Sequence, residues 1–445
     1  MKLAVLGAGE SGVGTAILAQ KQGYDVFVSD MGTIKDNYKQ KLNEHNIRWE
    51  EGHHTEEEIL SANEVVKSPG IPDTAPLVQK LITLHTPILS ELEFAKRYSR
   101  GKCICITGSN GKTTTTSLIY YIMQKSGRDV GLAGNIGRSF ALQVAEGDHD
   151  WYVLEISSFQ LDNMYDFRAD ISVLMNITPD HLDRYGLAEL GEEGAMQNYT
   201  DSKMRIIQNQ TPDETFVYWA QDDHIIEELS KRQQGYAPQP TPSSRPVHPG
   251  HPSLMGFEDS DFERFQLTFS QMGQHNKRNA LAAYLATMQV GIDEKIIRQC
   301  LETFPGVEHR LERVSEKDGI LYINDSKATN VDACKVALEA MERPTILIVG
   351  GKDKGNDYST IHQLVAKKCV GIVYLGADNS KLHAAFDDLD MPKADTHSMK
   401  DCVEACHKMA KKGDAVLLSP CCASFDLFKN MEDRGEQFRE NVKSL

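Results

Sequence analysis

Residues Cys103–Ser117 read CICITGSNGKTTTTS, and the order of residue types along them decides the fold class. Cys103 to Thr107 is an apolar run of strand length, Gly108 and Gly111 bound a tight turn, and from Lys112 to Lys125 the apolar residues recur at helical spacing. A strand that passes through a glycine-bounded turn into a helix N-terminus gathers main-chain N–H groups around one point, which is a place for an anion. In such a turn Lys112 reaches the β- and γ-phosphates of a nucleotide and the Thr113 hydroxyl takes Mg²⁺. The turn is shorter than the common phosphate loop, which has a glycine where this chain has Ile106.

Working outward, strands alternate with helices on both sides, which predicts an α/β fold with mostly parallel sheets. Upstream, a strand at Leu3 to Leu6 runs into GAGESGVG, and a second strand at Val26 to Ser29 ends in Asp30. Gly7, Gly9 and Gly12 fit the glycine fingerprint of a dinucleotide fold, with Asp30 placed to meet a ribose hydroxyl. Taken alone this proposes an NAD-dependent dehydrogenase. Only about 90 residues precede the phosphate turn, however, and a full dinucleotide domain needs six strands. A uridine diphosphate on the helix N-terminus after Gly12 uses the same anion physics without nicotinamide. The turn SPGIP, Ser68 to Pro72, closes a later strand and lines the same cleft.

Downstream, strands are expected at Trp151 to Ile156 and Ile171 to Met175, and a capped amphipathic helix at Gly273 to Gln289. The Pro-, Ser- and Gly-rich stretch from Gln233 to Leu254 reads as a surface excursion. From about residue 305 the alternation repeats, with strands at Thr345 to Val349, Gly371 to Leu375 and Ala415 to Leu418. Three domains follow: 1–92, Rossmann-like, with the loop that suits a uridine diphosphate; 93–304, central, with the phosphate loop; and 305–445, Rossmann-like again.

A chain of 445 residues accommodates three such units. Its formal net charge of −16 argues against nucleic acid or an anionic membrane surface as a partner, so anionic substrates must be held by local cations and helix N-termini. The nine cysteines show no paired zinc spacing. Cys103, Cys105 and Cys300 sit in apolar runs, Cys402, Cys406 and His407 read as a half-buried helix face, and Cys421 with Cys422 as packing; reduced cytoplasm is the expected compartment. The apolar run in MKLAVLGAG is too short for a signal peptide or membrane span.

Two further segments carry chemistry. WYVLEISSFQL puts Glu155 at the carboxyl end of a buried strand, where ligands of open parallel sheets sit, and a carboxylate there suits Mg²⁺. NITPDHLDRYG puts His181 and Asp183 in a loop at the same edge.

TGSNGKTT, EISSFQL and NITPDHLDRYG, in this order and followed by HNKRNALAA, EHRLE, NDSKATN and SPCCASFDLFKNMEDRGEQF, resemble the Mur ligases over nearly the whole chain. These enzymes join an amino acid to a carboxylate at the expense of ATP; folylpolyglutamate synthetases share the short loop and the amide chemistry and stand as the alternative. Within the family, the short N-terminal segment and SPCCASFD are most similar to the branch that adds D-glutamate to UDP-N-acetylmuramoyl-L-alanine in peptidoglycan synthesis. The resemblance implies that Gly108, Ser109, Asn110, Gly111, Lys112, Thr113 and Thr114 hold ATP, with Asn276 and Asn279 on its adenine side. Arg310, Asp325 and Lys327 close on ATP from the third domain. It also implies a uridine-substrate site at Ser11, Gly12, Val13, Asp30, Ser68, Pro69, Gly70, Asn135 and His181.

For metal, the implied set is Thr113, Glu155, His181 and Lys203, serving two Mg²⁺ ions. Lys203 matches the lysine that is carbamylated in this family, and the modification is physically reasonable because an ammonium repels Mg²⁺ whereas carbamate oxygens attract it. Lys112, Glu155, His181, Lys203 and Arg310 are the implied catalytic set. D-Glutamate is implied to meet Thr329, Lys354, Ser424 and Phe425, a lysine and hydroxyls suiting its two carboxylates. Met31 and Gly32 replace a threonine and an arginine found near the uracil in some relatives, and Met431 stands where an aromatic residue lines the amino-acid pocket. A monomer is expected.

Overall fold

In the first of three parallel-sheet layers, β1 (Lys2–Leu6), β2 (Asp25–Asp30), β3 (Arg48–Glu51), β4 (Glu64–Lys67) and β5 (Ile88–Leu89) lie in the order β3-β2-β1-β4-β5, all parallel. The chain winds outward from β1 to β3, then restarts at β4 on the other flank. Ligands of open α/β sheets bind outside the carboxyl ends of strands where the winding reverses. Here those ends belong to β1 and β4, which lead into Gly7–Gly12 and Ser68–Pro72.

The structure is a computed structural model and describes residues 1–233, 252–353 and 355–445. It folds as two compact units. One is Met1–Thr268 with Arg278–Glu302, and the other is Phe269–Lys277 with Thr303–Leu445. The first unit holds two sheets, so the expected segments 1–92 and 93–304 sit together in it, apart from Phe269–Lys277 and the last residues before 305.

The second sheet of that unit has β6 (Lys102–Thr107), β7 (Val130–Gly134), β8 (Trp151–Glu155), β9 (Ile171–Leu174), β10 (Thr215–Trp219) and β11 (Ser253–Phe257) in the order β11-β10-β9-β6-β8-β7, again all parallel. β6 is central, and Cys103 to Ile106 are fully buried. A strand covered by helices on both faces needs a continuous apolar run rather than an alternating one. Burying Ile104 or Ile106 contributes about 1.5–3 kcal/mol each. The helix after the turn spans Lys112–Lys125.

The stretch Gln233 to Leu254, expected to be an excursion throughout, is partly structured. Gln233 ends the helix Asp223–Gln233, and Ser253 and Leu254 open β11. The part between them, 234–251, lies outside the described residues. β11 was missed because its burial is slight: Ser253, Leu254 and Gly256 are exposed.

In the second unit, β12 (Glu312–Lys317), β13 (Ile320–Asn324), β14 (Thr345–Gly350), β15 (Cys369–Leu375), β16 (Lys393–Thr396) and β17 (Ala415–Cys421) form a sheet in the order β12-β13-β17-β14-β15-β16. It is parallel except for the β12–β13 hairpin. The hairpin turns at Asp318 and Gly319, whose φ of +53° and +78° suit the primed turns that Asp-Gly favours. The nine cysteines are all free and buried. Among the described residues no helix is long and apolar enough to cross a membrane.

Candidate active site

The turn after β6 is held open as a cradle by backbone geometry that only glycine adopts cheaply. Gly108 has φ +145°, and a Cβ on it would lie 2.9 Å from Met175 Cβ; Gly111, at φ +86°, caps the helix Lys112–Lys125. The turn is pinned to the segment leaving β9. Ser109 donates its N–H to the Asn176 carbonyl at 2.9 Å and its hydroxyl to the Thr178 carbonyl at 2.8 Å. Asn110 donates its N–H to Asn176 Oδ1 at 2.8 Å. Lys112 folds back over the turn, its Nζ donating to the Gly108 and Ser109 carbonyls at 2.8 and 2.9 Å. Thr113 and Thr114 continue the first helical turn, Thr113 half-buried and Thr114 buried. Asn279 is buried beside it and receives the Thr115 hydroxyl at 3.3 Å.

Glu155, last residue of β8, is buried, and its two carboxylate oxygens differ. Oε1 accepts from Asn135 Nδ2 at 3.0 Å, whereas Oε2 is buried without a hydrogen-bond partner. A buried carboxylate oxygen left bare costs free energy that a ligand can recover. Asn135 is fixed from below as well, its N–H bonded to the Glu155 carbonyl at 2.8 Å.

Lys203 lies near the end of the helix Leu187–Met204 and is only 2% exposed. Its Nζ donates to the same Gly108 carbonyl that Lys112 uses, at 3.0 Å, and stands 4.5 Å from the centroid of the Tyr199 ring. Burial, then the Lys112 cation, hold its ammonium well below the usual lysine range. His181 sits after β9 with φ +53°, half-exposed, its Nε2 3.6 Å from Asp180 Oδ2 and its ring edge-on to Phe159 at 5.2 Å.

Pro69, Gly70, Lys112, Asn135, His181 and Lys203 all line one cleft of about 270 Å³. Residues expected in the uridine, ATP and metal sets therefore share one cavity within the first unit. Phe159, Asp180 and Tyr199 line it too and were not singled out from sequence. Tyr199 precedes Lys203 by four residues, so helical spacing put both on one face.

The uridine-type loops meet at the carboxyl ends of β1 and β4. A Cβ on Gly12 would fall 1.9 Å from the Gly7 carbonyl oxygen, so this position tolerates only glycine, and Val13 behind it is buried. Ser11 and Ser68 are half-buried. Asp30, expected to meet a ribose hydroxyl, also pins its own loop. Oδ2 accepts from the Ala8 N–H at 2.7 Å and Oδ1 from the Gly32 N–H at 2.8 Å. Lys67, unnoticed in the sequence, is buried beneath the Ser68–Pro72 turn, with Nζ 2.7 Å from the Ile71 carbonyl and 3.1 Å from Asp73.

In the second unit, Asp325 follows β13 and is buried. It accepts from the Ser419 hydroxyl at 2.9 Å and the Leu311 N–H at 3.2 Å. Burial pushes its carboxyl from 3.8 up to about 7. An acid raised on folding binds protons more tightly in the native state, so its stabilising contribution is complete below the unfolded pKa and is lost as pH rises to about 7. Urea unfolding followed from pH 4 to pH 8 is expected to show that loss in the wild type and a flatter profile in Asp325→Asn. Equal slopes would refute it.

Arg310 carries a buried Nε without a hydrogen-bond partner, and Lys327 donates its N–H to the His309 carbonyl at 3.0 Å. Thr329 precedes the helix Val331–Ala340 and is exposed. Ser424 is buried, whereas Phe425 is 66% exposed. Asn276 is buried, with Nδ2 2.7 Å from the Met272 carbonyl. Lys354 lies outside the described residues. Cys402 and Cys406 are buried on the helix Met399–Met409, and among the described residues no group of three or more His, Cys, Asp or Glu could hold a metal.

Three family models match the chain: MurD N-terminal domain over residues 2–76, Mur ligase middle domain over 106–287, and Mur ligase, glutamate ligase domain over 309–422. A UDP-N-acetylmuramoylalanine--D-glutamate ligase of Bacteroides fragilis is 57% identical, covering 100% of both chains. One of Bacteroides thetaiotaomicron is 55% identical over the same extent. Among solved structures, UDP-N-acetylmuramate-alanine ligase MurC of Thermotoga maritima shares the fold at a TM-score of 0.56 and 17% identity, over 100% of this chain and 99% of that one.

Proposed function

The chain belongs to the family of UDP-N-acetylmuramoylalanine--D-glutamate ligases, and from that premise we propose that it adds D-glutamate to UDP-N-acetylmuramoyl-L-alanine, consuming ATP, as a cytoplasmic monomer supplying peptidoglycan precursors. The observation that carries this reading is the shared cleft. Pro69 and Gly70 from the nucleotide-type sheet and Lys112 from the phosphate cradle line the same cavity. A reaction between a uridine-linked acid and a triphosphate needs that juxtaposition. Identity over the full length of the relatives favours this ligase over a folate enzyme, and a dehydrogenase leaves the phosphate cradle without a task.

In this reading the acceptor carboxylate oxygen bonds to the γ-phosphorus as the bond to ADP breaks. The amine of D-glutamate then bonds to the acyl carbon, phosphate leaves with the electron pair, and the amine gives up a proton. Lys112 exchanges its loop carbonyls for phosphate oxygens and spreads the transferring charge, while Asn135 and His181 orient the acceptor and exclude alternatives. The segments 1–92, 93–304 and 305–445 carry the uridine, ATP and amino-acid functions.

The donor set fits Mg²⁺ in part. A buried bare carboxylate oxygen on Glu155 and the hydroxyl of Thr113 are hard ligands of the right type, and His181 is the third member of the implied set, but an ammonium on Lys203 is not. Carbamylation of Lys203 resolves the mismatch: the neutral amine that burial favours adds to dissolved CO₂, an N–C bond forms as one C–O π bond gives way, a proton leaves to solvent, and one negative charge shared over two oxygens takes the amine's place. When bound, Mg²⁺, with two ions in this reading, would supply neutralisation of phosphate charge.

Phosphate release from ATP with UDP-N-acetylmuramoyl-L-alanine tests the reading. Release is expected with D-glutamate and not with L-glutamate, meso-diaminopimelate or L-lysine. Equal release with L-glutamate, or release without the acceptor, would defeat it.

A further inference from the structure

Among the described residues the largest fully buried side chain is a cation that the reaction described above does not use. Arg434 lies in the first turn of the helix Met431–Ser444 and is 1% exposed. Its Nε donates to the Ser326 hydroxyl at 3.0 Å, Nη2 to the Ser326 carbonyl at 2.9 Å, and Nη1 to the carbonyls of Cys422 and Gly350 at 3.1 and 3.5 Å. All four acceptors are neutral oxygens. A guanidinium taken out of water and solvated only by neutral oxygens is expensive, and a fully apolar packing of similar volume is often the cheaper solution.

The acceptors share one property. Each stands where a strand of the sheet ends: Ser326 just after β13, Gly350 at the end of β14, and Cys422 just after β17. These three strands are adjacent in the order β13-β17-β14, so their carboxyl ends form the crevice of this sheet. Ser326 stands between Asp325 and Lys327, three residues before Thr329. Cys422 is two residues before Ser424.

The backbone at these ends is held under constraint as well. Gly350 has φ +145°, and a Cβ there would lie 2.1 Å from the Leu375 carbonyl oxygen; Cys421, a residue with a side chain, has φ +62°. Such conformations persist only where the surroundings over-determine them. The rigid five-donor fork of arginine suits that task, because it can bind several carbonyls in fixed directions, which a lysine ammonium cannot.

We propose that Arg434 is a positioning residue for the incoming amino acid: its guanidinium ties the ends of β13, β14 and β17 together in one geometry and puts a fixed positive charge behind the loops that receive the two carboxylates of D-glutamate. This rests on the function proposed above. Burial lowers the guanidinium only to about 10, so the charge persists at neutral pH. Ser326 extends the same tie, its hydroxyl donating to the Met431 carbonyl at 2.8 Å. The binding loops are thereby anchored to the helix that carries Arg434.

The test measures KM for each substrate in the full-length protein by phosphate release. Arg434→Lys keeps the charge and loses the fork. It is expected to raise KM for D-glutamate by about a hundredfold, the scale on which a displacement of about 1 Å in a positioned group acts, with KM for UDP-N-acetylmuramoyl-L-alanine unchanged. Ser326→Ala, which leaves the arginine in place and removes one of its acceptors, is expected to move the same constant in the same direction by a smaller factor. It keeps the test decisive where the arginine variant does not fold. An unchanged KM for D-glutamate in a folded variant, or equal rises for both substrates, overturns the proposal. A wild type that releases no phosphate in response to D-glutamate overturns instead the function on which it rests.

Discussion

Replacing Lys203 by alanine is expected to lower kcat by roughly 10²–10³, the range seen when one preorganised electrostatic group is removed from a reacting centre, while the fold survives. The reason lies in its surroundings. Lys203 is buried, shares the Gly108 carbonyl with Lys112, and so competes with a second cation for one acceptor. Two ammonium groups on one carbonyl are mutually unfavourable, and burial penalises charge further. The neutral amine is thus favoured, and it is the form that reacts with CO₂. In the carbamylated form proposed above, deleting the side chain removes the carbamate oxygens but no ion pair, so thermal unfolding should shift little. Short carboxylic acids that enter the vacated space should restore part of the rate, and intact-protein mass spectrometry of the wild type should show one added CO₂ that Lys203→Ala lacks. Full activity of the unrescued variant would remove Lys203 from the mechanism.

Much of this arrangement was legible in the chain because it is written in local patterns. The run CICIT is apolar on both faces, the glycines of TGSNGKT occupy positive-φ positions, and the helix from Lys112 to Lys125 follows from the periodicity of its apolar residues. The antiparallel edge strand β12 had a signal that was passed over, the Asp318–Gly319 pair between two strand-like runs. The motif places Asp30 at the end of β2 but does not show that its carboxylate also accepts from the Ala8 and Gly32 N–H groups, one across the turn after β1 and one in its own loop. Local patterns say what a residue type can do, not which neighbour reaches it first.

The residues that sequence reasoning missed act across long separations. Lys67 supports the Ser68–Pro72 turn from underneath, and Arg434 binds segments that lie 108, 84 and 12 residues away. No periodicity or spacing marks such a residue. Its type is ordinary and its burial exists only after the sheet has assembled. A lysine at the end of a buried strand and an arginine in the first turn of a polar helix both look solvent-facing until the strand order is known.

Glu155→Gln is expected to act in opposite directions on catalysis and stability, and that opposition is what makes it informative. The substitution preserves shape and leaves an oxygen that can still accept from Asn135. It replaces the bare, buried Oε2 with a neutral amide group. A buried unpaired ionic oxygen costs more than a neutral one, by an amount on the order of 1–3 kcal/mol. The unliganded variant should therefore unfold at a temperature equal to or above that of the wild type. Catalysis should fall by about 10²–10³, because in the function proposed above the bare oxygen is the carboxylate ligand for Mg²⁺. Raising Mg²⁺ should recover part of the lost rate, as expected when affinity for the ion rather than alignment of the acceptor has been weakened. The measurements are a thermal melt without ligands and initial rates across a Mg²⁺ series. A variant that melts well below the wild type would make Glu155 a structural strut for the Asn135 loop. One that loses rate with no Mg²⁺ dependence would move its role from the ion to the acceptor. Only the pair of results, a stable fold and a rate that responds to Mg²⁺, is what a carboxylate kept bare for a cation predicts.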